Sequence, residues 1–396
     1  MFSRVLLIIL DGVGVGALPD AGAYGDTGCA TLPHVATAVG GLQLPHLQQM
    51  GLGNIVPLAG VAPAASPVAA WGRMGQRAVG KDSVVGHWEL AGVIQEQPFA
   101  TFPNGFPREV IEEFTARSGL PVLGNAAASG TEILTRLGEK HLLTGYPIIY
   151  TSTDSVFQIA AHEELIPPAQ LYELCRLAEQ ILAPYNVCRV IARPFVGTCQ
   201  ADFKRTPRRH DFPCPPPRPT LLDRLRAAEI ATCSVGKVND LFAGRGIEVP
   251  LPTSSNHEGM KRTLEALGAV ERGLVFVNLV DFDMLFGHRR DPHGFARALE
   301  AFDDWLPRLQ QQLGSEDLLV VTADHGCDPL APGTDHTREF VPLLAWSPAM
   351  LRGVGLGVRS SFADVSATIA ELFAIDSECG KSFLAHLRAA GSGCSN

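Results

Sequence analysis

Asp11, Asp283 and the pair Asp324-His325 each stand just past an apolar run, at residues 5–10, 274–280 and 318–322. His288 follows in Asp283-Met-Leu-Phe-Gly-His288-Arg-Arg-Asp, and His336 lies in Gly333-Thr-Asp-His336-Thr-Arg-Glu, ahead of a fourth apolar run at 340–346. Ligand sites of open α/β sheets form in the crevice beyond the strand ends. Carboxylates and imidazoles gathered there would repel or stay unpaired without a cation. Mixed Asp and His donors suit divalent metals, and this many ligands suffice for two. Taken singly, each Asp also reads as a helix cap or turn former.

Ser83 is the candidate nucleophile, in Gly80-Lys-Asp-Ser83-Val-Val-Gly-His-Trp-Glu89, a Gly-punctuated string ahead of a helix-compatible run at 89–93. A serine hydroxyl is a poor nucleophile near neutral pH, and a divalent cation on its oxygen makes the alkoxide accessible. The competing reading is a serine that caps a helix. Basic residues cluster at Arg193, Lys204, Arg205, Arg208 and Arg209, and Lys237 follows Gly236. Guanidinium groups grip phosphates bidentately, and a lysine adds a point charge. The plain alternative is a solvated basic loop. Residues 151–155, Thr-Ser152-Thr-Asp154-Ser, offer one more carboxylate among hydroxyls.

The elements that must position these groups alternate. Apolar runs at 5–10, 274–280, 318–322 and 340–346 read as strands of a buried parallel sheet. A helical stripe runs from Phe295 to Leu313, with Pro307 as a possible kink, and another covers 364–373. This predicts an α/β fold with a mainly parallel sheet flanked by helices. The middle differs. Pro-Gly breaks, an amphipathic helix at 167–184 and a strand at 187–192 end in the proline run 213–219, which suits a stiff connector. The expected organisation is a core of residues 1–96 and 220–396, interrupted by an inserted α+β domain at 97–219. Residues 59–70 read as a surface loop.

Composition narrows the partners. Apolar residues make up 46% and charged residues 18% of 396, enough for a large core, and the net charge of −9 argues against nucleic acid or an anionic membrane as partner. The run at 5–10 is too short to span a bilayer and no cleavage-site sequence follows it, so a soluble, cytoplasmic protein is expected. A monomer is the expected state, with an oligomer as the alternative. The nine cysteines are irregularly spaced without a C-x-x-C, and read as reduced thiols. No P-loop or nucleophile elbow occurs, and Gly12, Gly14 and Gly16 miss the dinucleotide spacing.

On the strings Lys81-Asp-Ser-Val-Val-Gly-His-Trp-Glu89, Asp281-Phe-Asp-Met-Leu-Phe-Gly-His-Arg-Arg-Asp291, Thr322-Ala-Asp-His-Gly326 and Gly333-Thr-Asp-His-Thr-Arg-Glu339, the chain resembles the phosphopentomutases of the alkaline phosphatase superfamily over essentially its whole length. The resemblance implies an alkaline-phosphatase-like core with the insert as a cap over the site. It implies two Mn²⁺, or Mg²⁺ or Zn²⁺ in their place: one held by Asp11, Ser83, Asp324 and His325, the other by Asp283, His288 and His336 with help from Asp154. It further implies that Ser83 carries the phosphate, and that Ser152, Arg193, Arg209 and Lys237 bind a pentose phosphate. The implied activity interconverts ribose 1-phosphate, or 2-deoxyribose 1-phosphate, and the 5-phosphate. A pentose or glucose 1,5- or 1,6-bisphosphate would be the activator. Where that family carries threonine, this chain has Ser83, which keeps the hydroxyl but loses the methyl that stiffens the rotamer. A metal-dependent phosphatase, or a related phosphosugar or phosphoglycerate mutase, is the alternative reading; a metal- and phosphate-binding sensor is the non-enzymatic one.

Overall fold

A computed structural model describes residues 2–152 and 155–391. The chain forms two compact units. One comprises residues up to Gln97 and from Pro216 onward; the other is Pro98–Pro215. The proline run at 213–219 is therefore divided between the units.

The first unit is built on an eight-stranded sheet. Its spatial order is Val249–Leu251, Ala231–Val235, Gly273–Leu279, Arg4–Leu10, Asp317–Thr322, Val341–Trp346, Ala70–Met74 and Gly355–Arg359. Arg4–Leu10 lies at the centre, paired in parallel with Gly273–Leu279 on one side and Asp317–Thr322 on the other. Val5 to Leu10 are all buried, which is what helices on both faces of a parallel sheet require of an uninterrupted apolar strand. Val341–Trp346 departs from the parallel expectation and runs antiparallel to both neighbours. A parallel return needs a crossover element, and residues 323–340 contain no helix. That stretch is instead occupied by turns carrying His325 and His336.

Helix Pro292–Gln310 buries Phe295, Leu299, Phe302, Leu306 and Leu309. Pro307 does not split it: the ring sits in the last turn, where its missing N–H costs one intrahelical bond. Four strands of this sheet were not apparent in the sequence: Ala70–Met74, Ala231–Val235, Val249–Leu251 and Gly355–Arg359. The first begins inside the stretch expected to be a loop.

The second unit is α+β. Its sheet runs Leu123–Ala127, Ile148–Thr151, Val156–His162, Arg189–Val196 and Lys204–Arg205, with His210–Pro213 also paired to Arg189–Val196. Side chains alternate between two cores, as the strand period demands. Phe157, Ile159 and Ala161 pack with Phe114, Leu171 and Cys175 from helices Arg108–Ser118 and Pro168–Leu182. Ala160 and Phe195 pack with Ile133 and Leu134 of helix Gly130–Thr144. The strand expected at 187–192 begins later and runs further, as Arg189–Val196. Among the described residues, no helix is long and apolar enough to cross a membrane.

Candidate active site

The centre of the site is the C-terminal edge of the large sheet. Asp11 is the first residue beyond Arg4–Leu10, and its N–H donates to Leu279 O at 3.2 Å. Gly12 then turns the chain with φ of +76°. A side chain there would be strained and would meet Cys327 Cβ at 2.8 Å. The bare Gly12 amide instead donates to Asp324 Oδ1 at 3.2 Å, linking two adjacent strand ends.

Ser83 is the first residue of helix Ser83–Leu90. The cap is Asp82, which accepts from Val84 N at 2.9 Å and Val85 N at 3.2 Å, so Ser83 is not the capping residue and the helix starts earlier than its apolar run suggests. Gly86 lets this helix lie directly on the strand end, since a Cβ there would fall 2.2 Å from Asp324 O. The Ser83 hydroxyl, freed from capping, points at the acidic cluster. Its Oγ lies 3.0 Å from His325 Nε2 and accepts from Lys237 Nζ at 2.8 Å.

The carboxylates and imidazoles form two adjoining sets. Asp11, Asp324 and His325 bring one ligand atom each within 4.8 Å of one another, and Asp283, His325 and His336 do the same. His336 Nε2 is 3.3 Å from Asp283 Oδ1, and His288 Nε2 is 3.3 Å from Asp283 Oδ2. His288 Nδ1 donates to Thr334 O and His325 Nδ1 to Gly326 O, at 2.7 and 3.0 Å. Carbonyl oxygens only accept, so both Nε2 lone pairs face the cluster, as ligand histidines require. Asp283, His288 and Cys327 make a third group. Cys327 Sγ lies 3.9 Å from His288 Nδ1 and within 4.8 Å of an Asp283 carboxylate oxygen.

These groups fit divalent cations. Asp11 Oδ1, Asp283 Oδ1 and Asp324 Oδ2 are buried and receive no well-formed hydrogen bond among the described residues, only imidazole nitrogens at 3.5 Å (His325), 3.3 Å (His336) and 3.2 Å (His87). Bare buried carboxylate oxygens are costly, and a cation between them removes that cost. The protonation pattern shows the same strain. Burial, with Asp324 alongside, pushes the Asp11 carboxyl up to about 8. Burial also lowers His325 to about 4. The hydrogen bond to Asp283 raises His288 to about 9. Burial works against the charge on Lys237, but Asp11, Asp324 and Asp283 outweigh it and raise the ammonium to about 12.

Lys237, expected as a substrate contact, also pairs with Asp11 Oδ2 at 2.6 Å, beside the hydroxyl. Trp88 Nε1 donates to Leu241 O at 2.9 Å and so ties the short helix after Lys237 to the helix of Ser83. Several positioning groups were not singled out in the sequence. His87 follows Ser83 by one helical turn, and that spacing could have marked it. Asn278, buried on Gly273–Leu279, donates to Asp11 Oδ2 at 3.0 Å. Arg338 donates to the carbonyls of Gln76, Ala78 and Gly80, and Glu89 accepts from the amides of Arg77 and Ala78. Together they pin the segment that leads to Ser83.

The remaining candidates belong to the second unit. Asp154 lies outside the described residues. Ser152 directly follows Ile148–Thr151. Arg193 Nε donates to Gln158 Oε1 at 3.0 Å, and its charge is disfavoured first by burial and then by Arg209. Arg209 pairs with Asp211 at 2.6 Å, whereas its neighbour Arg208 is taken up by Glu163. Of the Arg208-Arg209 doublet, then, Arg209 is the one whose charge is felt at Arg193.

A parallel-centred α/β sheet with paired Asp/His sets at its C-terminal edge and a hydroxyl beside them defines a metalloenzyme of the alkaline phosphatase kind. The sequence model of the Metalloenzyme superfamily matches residues 3–377. A phosphopentomutase of Syntrophotalea carbinolica is 57% identical over 386 residues, covering 98% of each chain. One from Caldanaerobacter subterraneus is 54% identical, again over 98% of each chain. The chain belongs to the phosphopentomutase family and is a metal-dependent enzyme of the mutase class. Among solved structures, a Leishmania mexicana phosphoglycerate mutase is similar at 14% identity and a TM-score of 0.45, covering 95% of this chain and 96% of its own.

Proposed function

We propose that this enzyme interconverts ribose 1-phosphate or 2-deoxyribose 1-phosphate and the matching 5-phosphate, with Ser83 as the phosphate carrier. The observation that supports it most directly is the Ser83 hydroxyl held between Lys237 Nζ and His325 Nε2, at 2.8 and 3.0 Å, beside carboxylate oxygens that lack well-formed hydrogen bonds. Asp11, Ser83, Asp324 and His325 would hold one cation, manganese by family likeness, and Asp283, His288 and His336 the second. When bound, two such cations neutralise phosphoryl oxygens and stabilise entering and leaving oxygens of an in-line transfer.

The chain's own groups do the rest. Lys237 offers an ammonium where negative charge develops on the Ser83 oxygen. The phosphoryl group passes from phospho-Ser83 to the free hydroxyl of the sugar phosphate, giving a pentose 1,5-bisphosphate. The bisphosphate then returns its other phosphate to Ser83. Ser152, Arg193 and Arg209 are the residues to which family likeness would give binding of the pentose phosphate. A sugar bisphosphate activator would supply the first phosphate.

The test is an assay with ribose 1-phosphate, Mn²⁺ and a trace of sugar bisphosphate. Ribose 5-phosphate should form, and Ser83→Ala should abolish its formation with the fold intact. Free phosphate as the sole product would replace this reading with a hydrolase. Near-normal turnover by Ser83→Ala would remove Ser83 from its role.

A further inference from the structure

Between the nucleophile and the first acidic ligand runs a short buried relay. Asn278 Nδ2 donates to Asp11 Oδ2 at 3.0 Å and lies 3.2 Å from His87 Nε2. His87 Nδ1 lies 2.8 Å from the main-chain oxygen of Ser83 and 3.2 Å from Asp324 Oδ2, so the ring also meets a second carboxylate of the cluster directly. His87, Asn278 and Asp11 are all buried.

The chemistry of each partner fixes the next. A carboxylate only accepts, so the Asn278 atom facing Asp11 is nitrogen. That nitrogen's second proton points at His87 Nε2, which must accept it. The Ser83 carbonyl and the Asp324 carboxylate only accept, so His87 Nδ1 must donate. The ring is therefore the Nδ1–H tautomer. It is also locked in plane: it stacks on Phe276 with centroids 5.7 Å apart and 20° between planes. Asn278 in turn sits on the central sheet, in register with Ile9 two residues before Asp11. One end of the relay is a helix and the other a rigid strand.

We propose that His87 is a positioning residue which, through Asn278, fixes the Asp11 carboxylate relative to the helix that carries Ser83. The proposal rests on Asp11 being a metal ligand and Ser83 the nucleophile. The relay sets the distance at which cation and hydroxyl meet, without itself touching substrate. Groups that orient a ligand typically account for about 10–100-fold in metal affinity or activity.

The experiment measures Mn²⁺ affinity of the metal-stripped full chain by electron paramagnetic resonance, alongside kcat and KM. Asn278→Leu and His87→Phe should weaken Mn²⁺ binding about 10–100-fold and lower kcat with KM unchanged. His87→Gln places an acceptor near the Nε2 position and should restore Mn²⁺ affinity to within about threefold of wild type. His87→Asn mimics only Nδ1 and should not. Wild-type affinity in folded Asn278→Leu, or rescue by Asn but not Gln, overturns the proposal. Asp11→Asn separates the layers. If it loses Mn²⁺ while Asn278→Leu does not, only the relay falls; if it binds Mn²⁺ normally, the reading of Asp11 falls and the relay with it. Independently of any variant, ¹⁵N-histidine NMR of the wild-type chain should show the ring that contacts Phe276 protonated at Nδ1. Protonation at Nε2 instead overturns the assignment.

Discussion

Lys237 Nζ bridges the two groups that define the reaction centre, 2.8 Å from Ser83 Oγ and 2.6 Å from Asp11 Oδ2. Its charge has two opposed effects. It stabilises negative charge on the serine oxygen, and it competes with a cation for Asp11. Lys237→Met should therefore lower kcat by about 10²–10³-fold, as loss of a donor to a developing oxyanion does. It should leave Mn²⁺ affinity unchanged or higher, because one positive charge leaves the acidic cluster. Titration of Mn²⁺ into the variant checks the second half. A fall in both kcat and metal binding would mean that Lys237 acts by holding the site together.

The serine in place of the family's threonine raises a separate question, whether the missing methyl matters. In the structure the Ser83 rotamer is set by its partners: Oγ is held by Lys237 and His325, and the backbone is held by the Asp82 cap. A methyl adds little to a hydroxyl already fixed at two points. Ser83→Thr should accordingly retain activity close to wild type, measured as kcat under the same metal supply. A large loss would show that the pocket around Cβ has closed on serine.

Much of the cluster could be read from the sequence because each ligand follows an apolar strand, and the strand end fixes where the next side chain goes. Asp11, Asp283 and Asp324-His325 are of this kind, and the structure gathers them. What could not be read depends on partners remote in the chain. Arg338 and Glu339 lie beside His336 in sequence, yet their roles are contacts to Gln76–Gly80 and to Thr31, some 250 to 310 residues away. Val341–Trp346 looks like its parallel neighbours because burial on both faces yields the same apolar run in either direction. Ala70–Met74 carries Gly72 and an outward Arg73, and five such residues leave no periodicity to detect. The start of the nucleophile helix was misplaced because the polar, glycine-punctuated string Gly80-Lys-Asp-Ser83 runs straight into it and Gly86 interrupts its first turns: Asp82 and Ser83 look like loop until the cap is seen.

Arg338 gives the next prediction. It is 3% exposed and donates to Gln76 Oε1, Ala78 O and Gly80 O through one nitrogen and to Gln76 O and Asp20 through the other. Each buried acceptor left bare costs about 1–3 kcal/mol. Arg338→Met strands several at once and should destabilise the fold by at least about 3 kcal/mol, seen as a lower midpoint in chemical denaturation. Because the strap holds the segment that leads to Ser83, kcat should fall in protein that remains folded. Arg338→Lys keeps the charge but not the fork of donors, and should recover only part of either loss.

The acidic cluster makes stability depend on pH in a direction that can be worked out. In the metal-free chain, burial raises Asp11 from 3.8 to about 8, and Asp283 raises His288 from 6.5 to about 9. His336 is raised too: burial opposes its charge, but Asp283 prevails. Between pH 6.5 and 9 all three bind more protons folded than unfolded. Stability must then fall as pH rises through that window. His325, lowered to about 4, acts only below pH 6.5 and does not offset the trend. A cation needs these same groups without their protons, so its affinity should climb over the same range, with protons released on binding. Metal-stripped protein should therefore lose Tm steadily from pH 6.5 to 9, while protein in saturating Mn²⁺ should not, and the gap between the two should widen with pH. Calorimetry in buffers of different ionisation enthalpy counts the protons released. A gap that narrows toward pH 9, or binding without proton release at pH 7, would contradict a site in which Asp11 and His288 exchange protons for metal.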